Sequence, residues 1–327
     1  MTDRPPVVAL FGATALGKSD VAVELAASLG AEVVVADSMQ VYAGLGIVTN
    51  QPTPEQRRRA RHHLVGCITP QEELTVARFA ALAHDVIDRL TGAGTPVVVE
   101  GGSGLYLRAA LGDLAFAGAP DEAERRLLEE RWAADPAEVV AELVRLDPDA
   151  AARVDRANPR RVVRAVEAAR AAHRASPAGT PAPSAASPPR ARSPEATLWD
   201  AAGRYEYRLF ALAPDQGRAA LNERIGRRVD EMLAAGALEE VATARAAGPF
   251  SRTAAQAIGV RELCGVLDGE LALAEAAARM KARTRTLARR QLTWMRKLPA
   301  ARVVAVEGRR PALVAADLSR LLAASSW

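Results

Sequence analysis

Short apolar runs alternate with longer amphipathic segments in the first third of the chain. Residues 7–11, 31–36 and 96–99 are dominated by apolar side chains. Runs of this length predict strands that are covered on both faces, as in a parallel sheet. Residues 18–29 and 74–90 carry apolar side chains at helical spacing and predict the intervening helices. The alternation predicts an α/β fold with a doubly wound parallel sheet.

The pattern becomes entirely helical between residues 118 and 174. We expect helices at 121–134, 136–146, 148–154 and 158–173. The last has Asn158 as its N-cap and Pro159 in its first turn, which is typical of a helix start. We therefore expect an all-helical insert domain at 118–174, inside a core formed by 1–117 and 203–327.

Pro, Ala and Ser predominate in residues 175–202, which predicts a flexible connector. The core pattern then resumes with a strand at 205–212 and a helix at 215–234. A long helix is expected at 280–298, and a strand at 302–306 and a helix at 311–324 follow it.

The helix expected at 280–298 has an unusual distribution of charge. Met280, Leu287, Trp294 and Leu298 share one apolar arc at helical angles. Basic residues line both flanks of that arc, and no acidic residue interrupts the segment: Arg279, Arg283, Arg290 and Lys297 on one side, Lys281, Arg285, Arg289 and Arg296 on the other. A solvated helix usually mixes both signs, so this layout favours contact with a polyanion such as a nucleic acid.

Composition and net charge exclude only a few classes of function. The 327 residues carry a formal net charge of +4, which permits a nucleic-acid partner without requiring one. Cys67 and Cys264 form no CxxC pair, so neither a disulfide framework nor a zinc site is indicated. With no apolar run of membrane-spanning length and no secretory leader pattern, we expect a cytoplasmic protein without a membrane partner.

Residues 12–19, with the sequence GATALGKS, fit the phosphate-loop pattern G-x-x-x-x-G-K-[ST] at every fixed position. They stand between a predicted strand and a predicted helix, which is where such a loop works. Backbone N–H groups at a helix N-terminus favour phosphate oxygens, Lys18 adds a point charge, and the Ser19 hydroxyl suits Mg²⁺. The segment predicts a phosphate site on a P-loop NTPase-like core.

Asp37 follows the second predicted strand. Ligands of parallel α/β sheets gather beyond the carboxyl ends of the strands, so Asp37 should lie at the same edge as the phosphate loop. It is a candidate general base or metal ligand, and equally a helix cap. The Gly101-Gly102-Ser103-Gly104 stretch after the third strand suits close approach of a ligand to the backbone.

Taken in order, these segments resemble the tRNA dimethylallyltransferases, bacterial enzymes that prenylate an adenosine next to the anticodon. The resemblance covers nearly the whole chain and rests on eight motifs: GATALGKS, DSMQVY, HHLVG, GGSGLYL, NPRRVVRAVE, LNERIGRRVDEML, AIGVRE and TRTLARRQLTWMRK. It implies transfer of a dimethylallyl group from dimethylallyl diphosphate to N6 of that adenosine, with Mg²⁺ as cofactor, tRNA as partner and a monomeric state.

The resemblance also implies roles for individual residues. Asp37 would accept the N6 proton, with Thr14 and Arg228 as further catalytic residues. The diphosphate would lie against the phosphate loop and Arg224, with Ser19 placing the metal; the loop residues are Gly12, Ala13, Thr14, Ala15, Leu16, Gly17, Lys18 and Ser19. The tRNA would contact Asp37, Ser38, Met39, Gln40, Ser103, Arg125, Arg160, Arg161, Arg164, Arg285, Arg289 and Gln291.

Five positions depart from the family's usual pattern. This chain has Ala13 where the family usually has proline, Leu16 where it has a small residue, and Met39 where it has a polar or basic one. It has Gln51 in place of lysine and Val260 in place of tyrosine. None of these departures removes the expected base or a phosphate ligand.

Three other functions stay open on the residues alone. A small-molecule kinase could use the same loop with Glu100 as its magnesium acid, but would leave the basic helix without a purpose. An isopentenyltransferase for free adenine nucleotides would not need the basic cluster of the insert. A catalytically silent nucleic-acid-binding protein would not need Lys18, Asp37 and Arg228.

Overall fold

The computed structural model describes residues 5–114, 122–175, 203–214, 217–298, 301–306 and 308–324. The chain divides into two compact units. The first joins Met1–Asp113 to Ala202–Trp327, and the second comprises Leu114–Ala201. The helices expected within 118–174 belong to the second unit. All but the first residue of the connector expected at 175–202 lies outside the described residues.

Six parallel strands form the sheet of the first unit: β1 (Val7–Gly12), β2 (Glu32–Val35), β3 (His62–His63), β4 (Val97–Gly101), β5 (Tyr207–Ala213) and β6 (Arg302–Ala305). Their order is β3-β2-β4-β1-β5-β6, and each neighbouring pair is parallel. The prediction of a parallel α/β sheet is confirmed. Strand β3 was not predicted, since two residues are too few to produce a pattern.

Nine α-helices of this unit lie in the described residues: α1 (Lys18–Leu29), α2 (Pro54–Arg59), α3 (Val76–Gly92), α4 (Gly104–Leu111), α9 (Gly217–Ala234), α10 (Ala237–Ala246), α11 (Val260–Leu267), α12 (Leu273–Met295) and α13 (Pro311–Ala323). A 3₁₀ turn covers Ala254–Gln256. Helices α1 and α13 pack together over Val8 and Leu10 of β1, while α3 and α4 pack together and contact β4. Both faces of the sheet are therefore covered, which explains the unbroken apolar strands.

The second unit contains four described helices, α5 (Glu122–Ala134), α6 (Pro136–Leu146), α7 (Pro148–Arg153) and α8 (Pro159–Ala175). They enclose a small apolar core of their own around Leu128, Leu143 and Val162. Asn158 Oδ1 accepts the Arg161 N–H, so the expected cap at the start of α8 is present. Around this core, Arg170 joins the carboxylates of Glu124 and Glu142.

Helix α12 differs from its sequence prediction in extent and in part of its buried face. It begins at Leu273 and ends at Met295, seven residues before the expected start and three before the expected end. Its buried residues are Ala276, Met280, Ala288 and Gln291, whereas Leu287 is only half-buried. Met280 and Leu298 of the predicted apolar arc are buried, whereas Leu287 and Trp294 are only half-buried. The small Ala288, which was not predicted, lies in the hydrophobic core.

Candidate functional site

The phosphate loop connects β1 to α1 and has the backbone that its motif predicts. Gly17 is the N-cap of α1 at φ 76°, and Ala15 also has a positive φ, 63°. Gly17 supplies no capping side chain, so the N–H groups of the first helical turn are left for a ligand. Beneath the loop, Ala13 and Leu16 are buried in the hydrophobic core.

The lysine of the loop has a partner inside the protein. Lys18 Nζ lies 2.7 Å from Glu100 Oε2, at the end of β4. Glu100 is fully buried, and its other oxygen has no hydrogen-bond donor in the described residues. Strands β1 and β4 are neighbours in register at Leu10 and Glu100, and this adjacency brings the carboxylate under the loop.

Asp37 lies just beyond β2, at the same edge of the sheet. Its Oδ1 accepts the Met39 N–H at 2.8 Å and, less closely, the Gln40 N–H at 3.4 Å. Within the described chain Oδ2 accepts no hydrogen bond. One oxygen of Asp37 therefore caps the turn, as one prediction had it, and the other leaves the predicted base role open.

Arg228 extends from α9 and is held by a loop residue. Its Nε donates to Asn50 Oδ1 at 3.0 Å, and no carboxylate of the described residues forms an ion pair with it. Burial lowers the pKa of the Arg228 guanidinium, and the more distant carboxylates of Asp20, Glu231 and Asp37 oppose that effect. A half-buried guanidinium without an ion-pair partner is suited to an anion.

A cavity of about 490 Å³ brings these groups together. Thr14, Asp37 and Arg228 line it, and so do five other residues named from the sequence: Ser38, Met39, Gln40, Ser103 and Gln291. Apolar side chains complete the wall, among them Val48, Ile225, Val229, Met232, Ile258, Met280 and Leu287. The cavity thus combines the guanidinium groups of Arg228, Arg283 and Arg290 and the carboxylate of Asp37 with a wall that accepts an apolar group.

The family model described as IPP transferase matches residues 40–298. The chain belongs to the IPP transferase family. A tRNA dimethylallyltransferase of Nocardioides sp. is 39% identical over 298 residues, covering 91% of this chain and 90% of that protein. One from Anaeromyxobacter dehalogenans is 41% identical over 292 residues, covering 89% and 92%.

A solved structure agrees with the family assignment. The crystal structure of the full-length tRNA isopentenylpyrophosphate transferase from Bacillus halodurans superposes with a TM-score of 0.67 at 30% identity, covering 97% of this chain and 95% of that one. The resemblance inferred from the eight motifs is confirmed.

The departures from the IPP transferase pattern have structural roles here. Gln51, in the place of a lysine, donates through Nε2 to the carbonyl oxygens of Gln40 and Tyr42, at 2.9 and 2.7 Å. A neutral amide thus fixes the backbone after Asp37, as an ammonium group could. Val260 is buried in the first turn of α11, and Met39 lines the cavity.

The glycines at the end of β4 and just after it pack closely against the protein itself, and the approach of a ligand to this stretch stays a prediction. A Cβ at Gly101 would lie 2.6 Å from the carbonyl oxygen of Ala36, and one at Gly102 would collide with Gln291 Nε2. A Cβ at Gly104 would lie 2.8 Å from the Trp294 ring. Two of the motifs, GGSGLYL and TRTLARRQLTWMRK, are therefore packed against each other.

The arginines named as tRNA contacts fall into two groups. Arg160, Arg161, Arg164, Arg285 and Arg289 are exposed and form no ion pair with any residue that the structure describes. Arg125 is instead mostly buried and binds Glu167 through two hydrogen bonds of 2.8 Å. Arg224 is half-buried on α9 and does not line the cavity. Their contacts with tRNA or diphosphate stay predictions.

The positive flanks of α12 are also less continuous than the sequence suggested. Lys281 pairs with Asp230 of α9, and Arg283 pairs with the buried Glu262 of α11. Arg279 pairs with Glu275, one turn earlier on the same helix. The exposed charge is therefore concentrated in the C-terminal half of the helix.

Two positioning residues were missed by sequence reasoning. Asn50 holds Arg228, and Glu240 of α10 accepts the N–H groups of Ile47 and Val48, both at 2.8 Å. Asn50 has a positive φ of 54°, which asparagine tolerates better than most residues. An asparagine in a loop just before Pro52 was therefore a weak sequence signal for a turn at this position. Nothing in the sequence near Glu240 marks its role.

The described residues contain no group of three or more His, Cys, Asp and Glu side chains that could hold a metal ion by themselves. Among the helices that the structure describes, none combines the length and apolar composition needed to cross a bilayer.

Proposed function

We propose that this protein transfers the dimethylallyl group of dimethylallyl diphosphate to the N6 amine of an adenosine next to the anticodon of tRNA, releasing diphosphate. The observation that carries the proposal is the convergence of Thr14, Asp37 and Arg228 on one cavity beside the phosphate loop. The names of the relatives support the same activity.

Departure of the diphosphate is the demanding event, because the adenine amine is a weak nucleophile whose lone pair is delocalised into the ring. Arg228, Lys18 and the free N–H groups of the loop would stabilise the charge that grows on the leaving group. Lys18 would exchange Glu100 for a diphosphate oxygen in this step. The apolar wall of the cavity suits the five-carbon chain.

Asp37 would accept the proton that the amine loses. As the bond from N6 to the allylic carbon forms and the carbon–oxygen bond breaks, the electron pair of that bond leaves with the diphosphate and the N6 proton moves to Asp37 Oδ2. The hydrogen bond from the Met39 N–H to Oδ1 would keep the carboxylate in this orientation.

The Ser19 hydroxyl fits a role as magnesium ligand. Mg²⁺ prefers oxygen donors and is commonly held by few protein groups together with substrate phosphates, so Ser19 and the diphosphate oxygens form a suitable set. When bound, the ion would supply positive charge at the leaving group.

The exposed arginines would bind the RNA backbone. Arg285 and Arg289 extend from α12, the helix that also lines the cavity, and Arg160, Arg161 and Arg164 extend from α8 of the second unit. Phosphate contacts of this kind would offset the few kcal/mol that an adenine needs to leave its stack.

The test offers dimethylallyl diphosphate, labelled in the allyl group, with unmodified tRNA or with AMP. We expect label in the tRNA and none in AMP. Label in AMP alone would replace the proposal by a free-nucleotide isopentenyltransferase, and ATP turnover with neither acceptor labelled would indicate a kinase. A tRNA with guanosine at the modified position serves as the matched acceptor control.

A further inference from the structure

The Thr14 N–H of the phosphate loop is engaged by a side chain from α12. Gln291 Oε1 accepts the Thr14 N–H at 2.8 Å. The N–H groups of Ala15, Leu16 and Gly17 reach no acceptor in the part of the chain that the structure describes. The first turn of α1 likewise offers N–H groups that have no partner within the helix. The loop is therefore occupied at the end next to β1 and open at the end next to α1.

Gln291 is confined in that position. Its side chain is buried, and the missing side chain of Gly102 makes the space for its amide. Three residues away on either side along α12, Ala288 packs into the hydrophobic core and Trp294 packs on Gly104. If the Gln291 side chain rotated away from the loop, the Thr14 N–H would lose its acceptor and the Gln291 amide would lose its place beside Gly102.

We propose that Gln291 is a positioning residue that closes the β1 end of the loop and thereby restricts it to a diphosphate. A phosphate chain in such a loop lies along the row of N–H groups, starting at the helix N-terminus. A third phosphate would extend toward Thr14, where it meets an amide oxygen instead of a free donor. Two acceptors cannot share that N–H without repulsion.

This inference rests on the proposed function only in naming a diphosphate as the ligand. It explains how a loop that fits the nucleotide-binding pattern at every fixed position can favour an allylic diphosphate over nucleoside triphosphates. The discriminating group is supplied from outside the loop, 277 residues away from Thr14 in the sequence.

Isothermal titration with inorganic diphosphate and inorganic triphosphate, each with Mg²⁺, tests the inference on the full chain. We expect the wild-type protein to bind diphosphate at least about tenfold more tightly, and Gln291→Ala to reduce that ratio to about threefold or less. Thr293→Ala, an exposed position on the same helix, is the matched control and should keep the wild-type ratio.

A purely structural role would give a different result. If Gln291→Ala weakened the binding of both ligands by the same factor, or left the ratio unchanged, the inference would be wrong. Should that variant fail to fold, as judged by its thermal unfolding, Gln291→Ser gives the same test with a side chain that water can solvate. Inorganic phosphates need neither tRNA nor an allyl group, so this result is independent of whether prenyl transfer is observed.

Discussion

Lys18 Nζ lies 2.7 Å from Glu100 Oε2, so the lysine of the phosphate loop is bound to a carboxylate that has no exposed surface. A phosphate oxygen is the partner that the motif predicts for this lysine. The ligand and Glu100 would therefore compete for one ammonium group. The exchange would keep Lys18 compensated in both states, but it would take from the buried Glu100 its ion-pair partner.

Replacing Glu100 by Gln should separate these two roles. We expect the free energy of unfolding without ligand to fall by roughly 3–5 kcal/mol, because the largely buried Lys18 loses its carboxylate. Added inorganic diphosphate should then stabilise the variant more than the wild type. Urea unfolding with and without diphosphate measures both effects. Glu32→Gln, on β2, removes a partner of His63 on β3. It is the control and should leave the stabilisation by diphosphate unchanged.

Asp37→Asn tests the proposed base. Turnover should fall by about 10²–10⁴ while the Kd for the anticodon stem-loop stays close to that of the wild type. The asparagine oxygen can still accept the Met39 N–H, so the turn is kept. Single-turnover transfer and RNA binding are the measurements. Ser38→Ala changes a neighbour in the same cavity without removing an acid, and activity of Asp37→Asn equal to that of Ser38→Ala would refute the assignment.

Asn50→Gly removes the acceptor of Arg228 Nε, while glycine keeps the backbone conformation at φ 54°. We expect the KM for dimethylallyl diphosphate to rise about tenfold, because a hydrogen bond to a charged group that positions it is lost. Asn50→Ala should show the same rise in KM together with a lower Tm, since alanine is strained at that φ. A KM that rises only in the alanine variant would mean that strain, and not the hydrogen bond, matters.

Gly101→Ala should destabilise the core by about 1–3 kcal/mol, because the added Cβ would lie 2.6 Å from the backbone carbonyl of Ala36. Gly92→Ala, at the end of α3, has nothing within 4 Å of the new Cβ and should be neutral or stabilising by about 0.5 kcal/mol. The free energy of unfolding in urea distinguishes them. Equal effects would contradict the packing explanation for the glycine at the end of β4.

The second unit should lose stability on acidification. Burial alone would raise the pKa of Glu142, but hydrogen bonds from Arg131 and Arg170 lower it overall. Hydrogen bonds from Arg170 and Arg174 lower the pKa of Glu124. Because both folded-state pKa values lie below the unfolded value, the stabilisation is present above about pH 4.5 and is lost as the pH falls through the folded values.

Arg170→Met should flatten this dependence. The ¹⁹F signal of Trp132, which packs on the core of the second unit, reports its unfolding in protein labelled with fluorotryptophan. We expect the urea midpoint of the wild type to drop between about pH 5 and 3, and that of Arg170→Met to change less. Parallel curves for the two proteins would show that these carboxylates do not contribute.

Local patterns were sufficient for the strands, the phosphate loop and the place of Asp37, because each depends on neighbours within a few residues. Local patterns could not predict the residue pairs that shape the cavity, because the two members of each pair are far apart in the sequence. Arg228 and Asn50 are 178 residues apart, and Gln291 and Thr14 are 277 apart. Gln291 was named as a tRNA contact from the resemblance, whereas its hydrogen bond to the loop emerged only from the fold.

Helix α12 shows why periodicity alone was insufficient. The arc of large apolar residues was the natural prediction for the buried face, yet Leu287 lines the cavity and Ala288 meets the core. Helix α12 packs closely on Gly102 and Gly104 because these glycines have no side chains at the contact. A pattern of hydrophobic residues does not reveal such a contact. The same closeness explains why glycines that resembled a ligand site contact protein atoms.

Gly112 and Gly203 form an antiparallel bridge, and the Arg204 N–H donates to the carbonyl oxygen of Leu111. The chain thus departs from the first unit and re-enters it at adjacent points. Because the two ends are neighbours, a segment of any length can be inserted between them while the sheet and the phosphate loop keep their positions in the first unit. Evolution or an engineer can lengthen, shorten or exchange the spliced segment without rebuilding the catalytic scaffold.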